Sequence, residues 1–241
     1  MKQILVFGHK NPDTDSICSA ISFAELKNAQ GVNVIPCRLG NVSKETQFAL
    51  NHFGAEAPLF IENVNADENG KKEVILVDHN EKAQTADGIE SAKILEVVDH
   101  HKFALTTDEP LKITADTVGC TCTLIYRLFK QAGITPSKKA AGLMMSAIIS
   151  DTLLFKSPTC TPEDVEAVKE LSKICGEENY EDYGMKLLIE GTSLSDKTPE
   201  EIITIDMKEF DMNGKKVAVA QVNTVDVAGL LNTQAELEAA M

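Results

Sequence analysis

No tryptophan occurs in the 241 residues, aromatic side chains make up only 5%, and 23 lysines and arginines face 37 aspartates and glutamates. Stacking of bases on aromatic platforms and neutralisation of a phosphate backbone by surface cations are both poorly served by that inventory. With a formal net charge of −14, the chain repels polyanions unless positive charge is concentrated locally or supplied by metal ions. Nucleic-acid binding is therefore disfavoured, and a small anionic substrate would need a cation as intermediary. The apolar run near the amino terminus, residues 4–7, is too short for a signal-peptide core or a membrane span, so a cytosolic protein without membrane partners is expected. CxxC pairs are absent; Cys18, Cys37, Cys120, Cys122, Cys160 and Cys175 sit mostly in apolar segments and are expected to be reduced core thiols. Neither GxGxxG nor GxxxxGK[ST] occurs, which removes a Rossmann dinucleotide site and a Walker loop. Repeats and low-complexity tracts are missing as well.

What is present is a globular composition, 43% hydrophobic and 25% charged, long enough for one large domain or two smaller ones. Short β-branched runs at 4–7, 74–77 and 94–98 end abruptly in polar residues and predict buried parallel strands, with another at 32–38. Helical patterns at 16–30 and 44–53 close on Gly31 and Gly54. Strands alternating with helices predict an α/β fold with a parallel sheet flanked by helices. From 115 onward the pattern is helical, at 120–131, 138–150, 162–175 and 181–190. Residues 191–195 read as a linker, followed by Thr198-Pro199 as a cap with proline at the first helical position. Two regions are expected, 1–192 and 193–241. In the second, Asn213-Gly214 predicts a hairpin of strands 207–211 and 216–222, and 225–241 reads as one amphipathic helix.

Four of the five histidines follow predicted strands, each with carboxylates: His9 with Asp13 and Asp15, Asp78 with His79, and Asp99 with His100 and His101. Ligands of open α/β sheets bind outside the carboxyl ends of the strands, so these clusters are expected to meet in one crevice. Taken singly, each has a bland explanation: Asp13 and Asp15 as charges at a helix start, Asp78 as a turn residue, His9 as a cap. Three such clusters at three strand ends favour a metal site. Asp151 joins them because it leaves the apolar run 142–150, where a carboxylate is costly unless paired or coordinated. Imidazole and carboxylate without thiolate suit manganese, magnesium, cobalt or zinc. Two ions bridged by one carboxylate would use the acids economically and suit in-line displacement at phosphorus. Lys156 and Lys208 are candidate phosphate contacts, and the amides of residues 119–123 could face an anion.

The segments FGHKNPDTD at 7–15, VDHNE at 77–81, VDHH at 98–101 and SDTLLFKSPT at 150–159 together resemble the manganese-dependent (family II) inorganic pyrophosphatases of the DHH phosphoesterase superfamily. The resemblance covers essentially the whole chain. It implies a DHH metal-binding catalytic domain over 1–192, and over 193–241 a linker with the start of a smaller α/β domain of DHHA2 type that binds substrate. It implies hydrolysis of pyrophosphate to two phosphates, with His9, Asp13 and Asp78 holding one Mn2+ and Asp15, Asp78, His100 and Asp151 the other. Co2+ or Mg2+ are the alternatives, and further Mg2+ accompanies the substrate. Asp78 would bridge, His101 would meet the phosphate and serve as acid, and Lys208 would bind the electrophilic phosphate. Asp99 would support from behind, His79 and Asn80 would line the site, and Asn80 would contact the substrate. A homodimer formed through edge pairing is implied. Only a short polar loop, 63–72, stands where some relatives carry a regulatory CBS insertion, so no adenine-nucleotide regulation is expected. The family's C-terminal Ser-Arg-Lys-Lys segment does not occur here. Two rival expectations follow: another DHH phosphoesterase acting on oligonucleotides, cyclic dinucleotides or polyphosphate, or a metal-binding fragment with little turnover.

Overall fold

In chain order the elements are β1 (Ile4–Phe7), α1 (Thr14–Ala29), β2 (Val34–Arg38), α2 (Lys44–His52), β3 (Leu59–Phe60), β4 (Glu73–Val77), β5 (Lys93–Asp99), β6 (Lys112–Ala115), α3 (Thr121–Ala132), α4 (Lys138–Asp151), α5 (Pro162–Cys175) and α6 (Tyr180–Gly191). The computed structural model describes residues 3–222 and 224–241. It divides into two units, Met1–Leu187 and Leu188–Met241.

The first unit is built on one sheet, ordered β3-β2-β1-β4-β5-β6, with every neighbouring pair parallel. The three apolar runs seen in the sequence are its adjacent middle strands. Alternation sorts their side chains. Val6, Ile75, Val77 and Val98 join the helices in one buried cluster, while Phe7, Val74, Leu76 and Val97 join Val64, Ala86, Ile89 and Leu105 of the connecting segments in another. Burial on both faces is why these strands read as continuous apolar runs rather than as alternating ones. Strand order reverses between β1 and β4, the position where ligands settle in open α/β sheets.

Two strands were not expected. β3 has two exposed residues, and β6 carries mostly exposed side chains at the sheet edge, so neither presents the buried β-branched pattern that reveals a strand. α1 starts at Thr14 rather than at 16 because the Asp13 side chain accepts from the Ser16 amide and caps it. All six cysteines are free thiols, four of them buried. Among the described residues no helix is long and apolar enough to cross a membrane.

The second unit carries α7 (Pro199–Thr204), β7 (Met207–Met212), β8 (Lys215–Ala220), α8 (Val227–Asn232) and α9 (Gln234–Ala240). Thr198 caps α7 with a full capping box. β7 and β8 pair antiparallel across a two-residue turn in which Asn213 and Gly214 both hold positive φ, 54° and 77°, as a type I′ hairpin requires. The single helix expected over 225–241 is instead two. Thr233 ends α8 and begins α9, its hydroxyl donating to Leu230 O at 2.8 Å, a local bond that competes with helix continuation.

Candidate metal centre

Asp78 directly follows the strand β4 with a φ of 59°, left-handed backbone that a non-glycine residue holds at a cost and that is concentrated at functional sites. Its carboxylate is 2% exposed. Oδ2 lies 3.3 Å from His9 Nε2, whereas Oδ1 lies 3.6 Å from His100 Nε2 and 3.7 Å from His101 Nδ1. Thr121 Oγ1 donates to Oδ1 at 3.3 Å, but Oδ2 is buried without a hydrogen bond. One carboxylate thus faces two histidine groups through different oxygens.

Both His9 and His100 are held with Nε2 inward. His9 Nδ1–H donates to Lys10 O at 2.7 Å, and His100 Nδ1–H to Val118 O at 3.1 Å. A carbonyl accepts only, so Nδ1 keeps its proton and the neutral ring presents the Nε2 lone pair, as metal-ligating histidines do. Asp13 serves twice: Oδ1 caps α1, and Oδ2 lies 3.5 Å from His9 Nε2. Its cap role and its site role are therefore not alternatives.

Asp15 is fully buried in the first turn of α1. Ser19 Oγ donates to it at 2.8 Å, the Thr121 amide at 2.7 Å and the Cys122 amide at 3.1 Å. The amides at the start of α3, expected to be open to an external anion, are instead taken by this carboxylate, and the Gly119 amide donates to Asp164. Asp15 Oδ2 is 4.0 Å from His100 Nε2, and Asp151 Oδ2 is 3.9 Å from it. Asp151 is the last residue of α4, where the buried run ends.

The electrostatics record carboxylates crowded together out of water. Burial, reinforced by the charge of Asp15, raises Asp78 to about 7. Burial and then Asp15, Asp78 and Asp13 hold Asp151 well above the usual carboxylate range. Asp15 is lowered despite its burial, because His100, Ser19 and the surrounding donors outweigh desolvation. Burial opposes protonation of both histidines, yet Asp13 and Asp78 lift His9 to about 11, and Asp78 and Asp15 lift His100 to about 9.

Ligand atoms of His9, Asp13 and Asp78 all lie within 4.8 Å of one another, as do those of Asp15, His100 and Asp151 and those of Asp78, His100 and His101. Oxygen and imidazole donors, repulsion among the acids and a buried carboxylate oxygen lacking a hydrogen bond fit divalent cations of the manganese and magnesium class.

A cavity of about 220 Å³ opens beside the centre, lined by His9, Asp78, His79, Asn80, His101 and Lys102 among others. His101 is half exposed. Its Nδ1 is 2.9 Å from Asp99 Oδ1, and this contact raises its pKa against the effect of burial. Asp99 is buried and its pKa is lowered: desolvation is overcome by His101 and Asn80. His79 donates Nδ1–H to Val77 O at 2.9 Å, leaving a buried Nε2 without a hydrogen-bond partner, and burial lowers it to about 4. Asn80 differs from expectation. Its amide donates to Asp99 Oδ2 at 2.6 Å and to Lys102 O at 3.0 Å, and its oxygen accepts from the Ala104 amide at 2.6 Å. Both amide hydrogens are used within the protein, so Asn80 positions Asp99 and has no donor left for substrate. Lys156 is exposed on the turn after α4, and Lys208 is exposed on β7, 3.9 Å from Asp206.

Ser19 and the Thr121 hydroxyl contact carboxylates of the centre and were not anticipated. Ser19 stands one helical turn after Asp15, a spacing that could have revealed it. Thr121 reaches Asp15 through its amide and Asp78 through its hydroxyl, from 106 and 43 residues away, and no local pattern announces the hydroxyl contact.

Comparison with known proteins identifies the family. The profile described as DHH family, N-terminal domain, matches residues 3–148, and that of the DHHA2 domain matches 185–241. Over 239 residues the chain is 54% identical to a Bacillus cereus protein named probable manganese-dependent inorganic pyrophosphatase, covering 99% of this chain and 76% of that protein. A protein of the same name from Bacillus anthracis is 53% identical over the same shares. Among solved structures, a Methanococcus jannaschii protein assigned to the family II inorganic pyrophosphatases superposes with a TM-score of 0.76 at 43% identity, over 98% of this chain and 77% of that one. An exopolyphosphatase-related protein from Bacteroides fragilis shares the fold at 18% identity, with a TM-score of 0.65 over 87% of this chain and 62% of its own.

Proposed function

The chain belongs to the DHH family, in its manganese-dependent inorganic pyrophosphatase branch, and from that membership together with the histidine–carboxylate centre we infer that it hydrolyses pyrophosphate to two phosphates. The observation that carries this reading is Asp78, one buried carboxylate turned towards His9 with one oxygen and towards His100 with the other. His9, Asp13 and Asp78 would hold one manganese ion; Asp15, Asp78, His100 and Asp151 would hold a second, with Asp78 common to both. Bound divalent ions offset the negative charge of protein and substrate and acidify water, whose pKa falls from about 15.7 towards about 7 beside such a cation.

The chain's own residues do the rest. The Nδ1–H bonds to Lys10 O and Val118 O keep His9 and His100 in the tautomer that presents Nε2. Asp99, pinned by Asn80, turns the His101 ring and favours its protonated form. His101 then offers a proton through Nε2 to the oxygen that leaves with the departing phosphate. His79 stays neutral on the cavity wall and adds no charge there. Lys156 and Lys208 are assigned to substrate phosphate, where ammonium groups stabilise the charge on equatorial oxygens in the transition state. We further assign the protein to the cytoplasm as a homodimer, without nucleic-acid partners or adenine-nucleotide control.

Phosphate release is the test. With Mn2+ the protein is expected to release phosphate from pyrophosphate and not from a dinucleotide. Asp78→Ala is expected to lose turnover and coupled uptake of two ions, and retention of two tightly bound ions in that variant would overturn the assignment.

A further inference from the structure

Two thiols lie against the carboxylate side of the centre and have no part in the reading above. Asp15, Cys120 and Cys122 each offer a ligand atom within 4.8 Å of the others. All three residues are fully buried. The pair arises at the start of α3, where Cys120 is the cap residue, with extended φ of −160° and ψ of 143°, and Cys122 follows two positions later. Asp15 is locked against them by the Thr121 and Cys122 amides and by Ser19 Oγ, which itself sits 3.2 Å from Cys122 Sγ. Both sulfurs are free thiols.

This donor set differs in kind from the imidazole and carboxylate cluster beside it. Its two sulfurs are soft donors beside one hard carboxylate oxygen, and thiolate ligation selects zinc-class ions over manganese or magnesium. We propose that Asp15, Cys120 and Cys122 form a separate site for a thiophilic divalent ion such as Zn2+ or Cd2+, and that filling it draws Asp15 away from the hard-ion centre. Ligation releases the two thiol protons to solvent and leaves two thiolates and one carboxylate on the ion. The competition with manganese rests on the assignment of Asp15 to the centre; the sulfur ligation does not.

Zn2+ also binds imidazole and carboxylate, so the readout is sulfur ligation rather than uptake. The full chain carrying Cys160→Ser and Cys175→Ser, which removes the two half-buried thiols, is freed of metal and loaded with Zn2+. X-ray absorption is expected to show sulfur neighbours at about 2.3 Å. Cd2+ is expected to give a sulfur-to-metal charge-transfer band that weakens in the further Cys120→Ser and Cys122→Ser variants. A zinc shell of oxygen and nitrogen alone overturns the site, and that measurement needs no substitution at Cys120 or Cys122. In protein preloaded with Mn2+, the sulfur signal is expected to appear only as one Mn2+ per chain is released, followed by electron paramagnetic resonance. Sulfur-bound ion alongside full manganese occupancy overturns the competition. Neither readout depends on pyrophosphate hydrolysis, so failure here is distinguishable from failure of the proposed function.

Discussion

At the residue scale, protons and metal ions compete for the same atoms. In the metal-free centre His9 and His100 have pKa values raised to about 11 and about 9. At pH 7 both carry a second proton, on the Nε2 that a metal must use, so uptake has to expel protons and affinity should rise as pH rises from 6 towards 9. Titration calorimetry of Mn2+ in buffers of different ionisation enthalpy checks this: net proton release at pH 7 is expected, and a pH-independent affinity would contradict it. A second expectation concerns Asn80, which is spent on Asp99 and the 102–104 backbone. Asn80→Ala should leave manganese affinity nearly intact while lowering kcat by about 10–100-fold, as loss of an outer support does. The pH profile should shift too, because Asp99 no longer holds the His101 proton in place. An unchanged profile would mean that Asn80 acts on stability alone.

At the scale of elements, the close approach of β1 to α1 sets where His9, Asp13 and Asp15 fall. A Cβ built on Gly8 would lie 1.9 Å from Ser16 Oγ and 2.8 Å from Ser16 Cα. The Cα belongs to the helix backbone and cannot rotate aside. Gly8→Ala should therefore cost about 1–3 kcal/mol and lower the melting temperature by about 2–4 °C for each kcal/mol in a chain of this size. Manganese affinity should fall with it, and a variant of undiminished stability would refute this account of the loop. The same elements explain what could be read without a structure. β1, β4 and, apart from Glu96, β5 are built of apolar runs bounded by polar residues, so their positions and the convergence of their ends were visible. The edge strands β3 and β6 have no such signal. Position 233 interrupts a helix through a hydroxyl-to-carbonyl bond that amphipathic spacing does not reveal. Within the site, the proposed ligands next to strand ends were legible because histidine and aspartate recur there; the Thr121 hydroxyl, far along the chain on α3, was not.

At the scale of the whole molecule, the charge balance of −14 is not spread evenly in its consequences. Asp13, Asp15, Asp78 and Asp151 are brought together, and in the absence of cations their repulsion opposes folding. An ion that binds only the folded state stabilises it by mass action, by about 2.7 kcal/mol at a hundredfold excess over its dissociation constant. Every proposed ligand lies between residues 9 and 151, inside the unit Met1–Leu187. Added Mn2+ without substrate should thus slow amide exchange in the segments after β1, β4 and β5 and at the end of α4, while peptides from Leu188–Met241 exchange as before. Hydrogen exchange read by mass spectrometry, with and without a chelator, measures both sets at once. Equal protection of the two units by manganese alone would show that the ion is held by both, and the ligand set confined to the first would have to be abandoned.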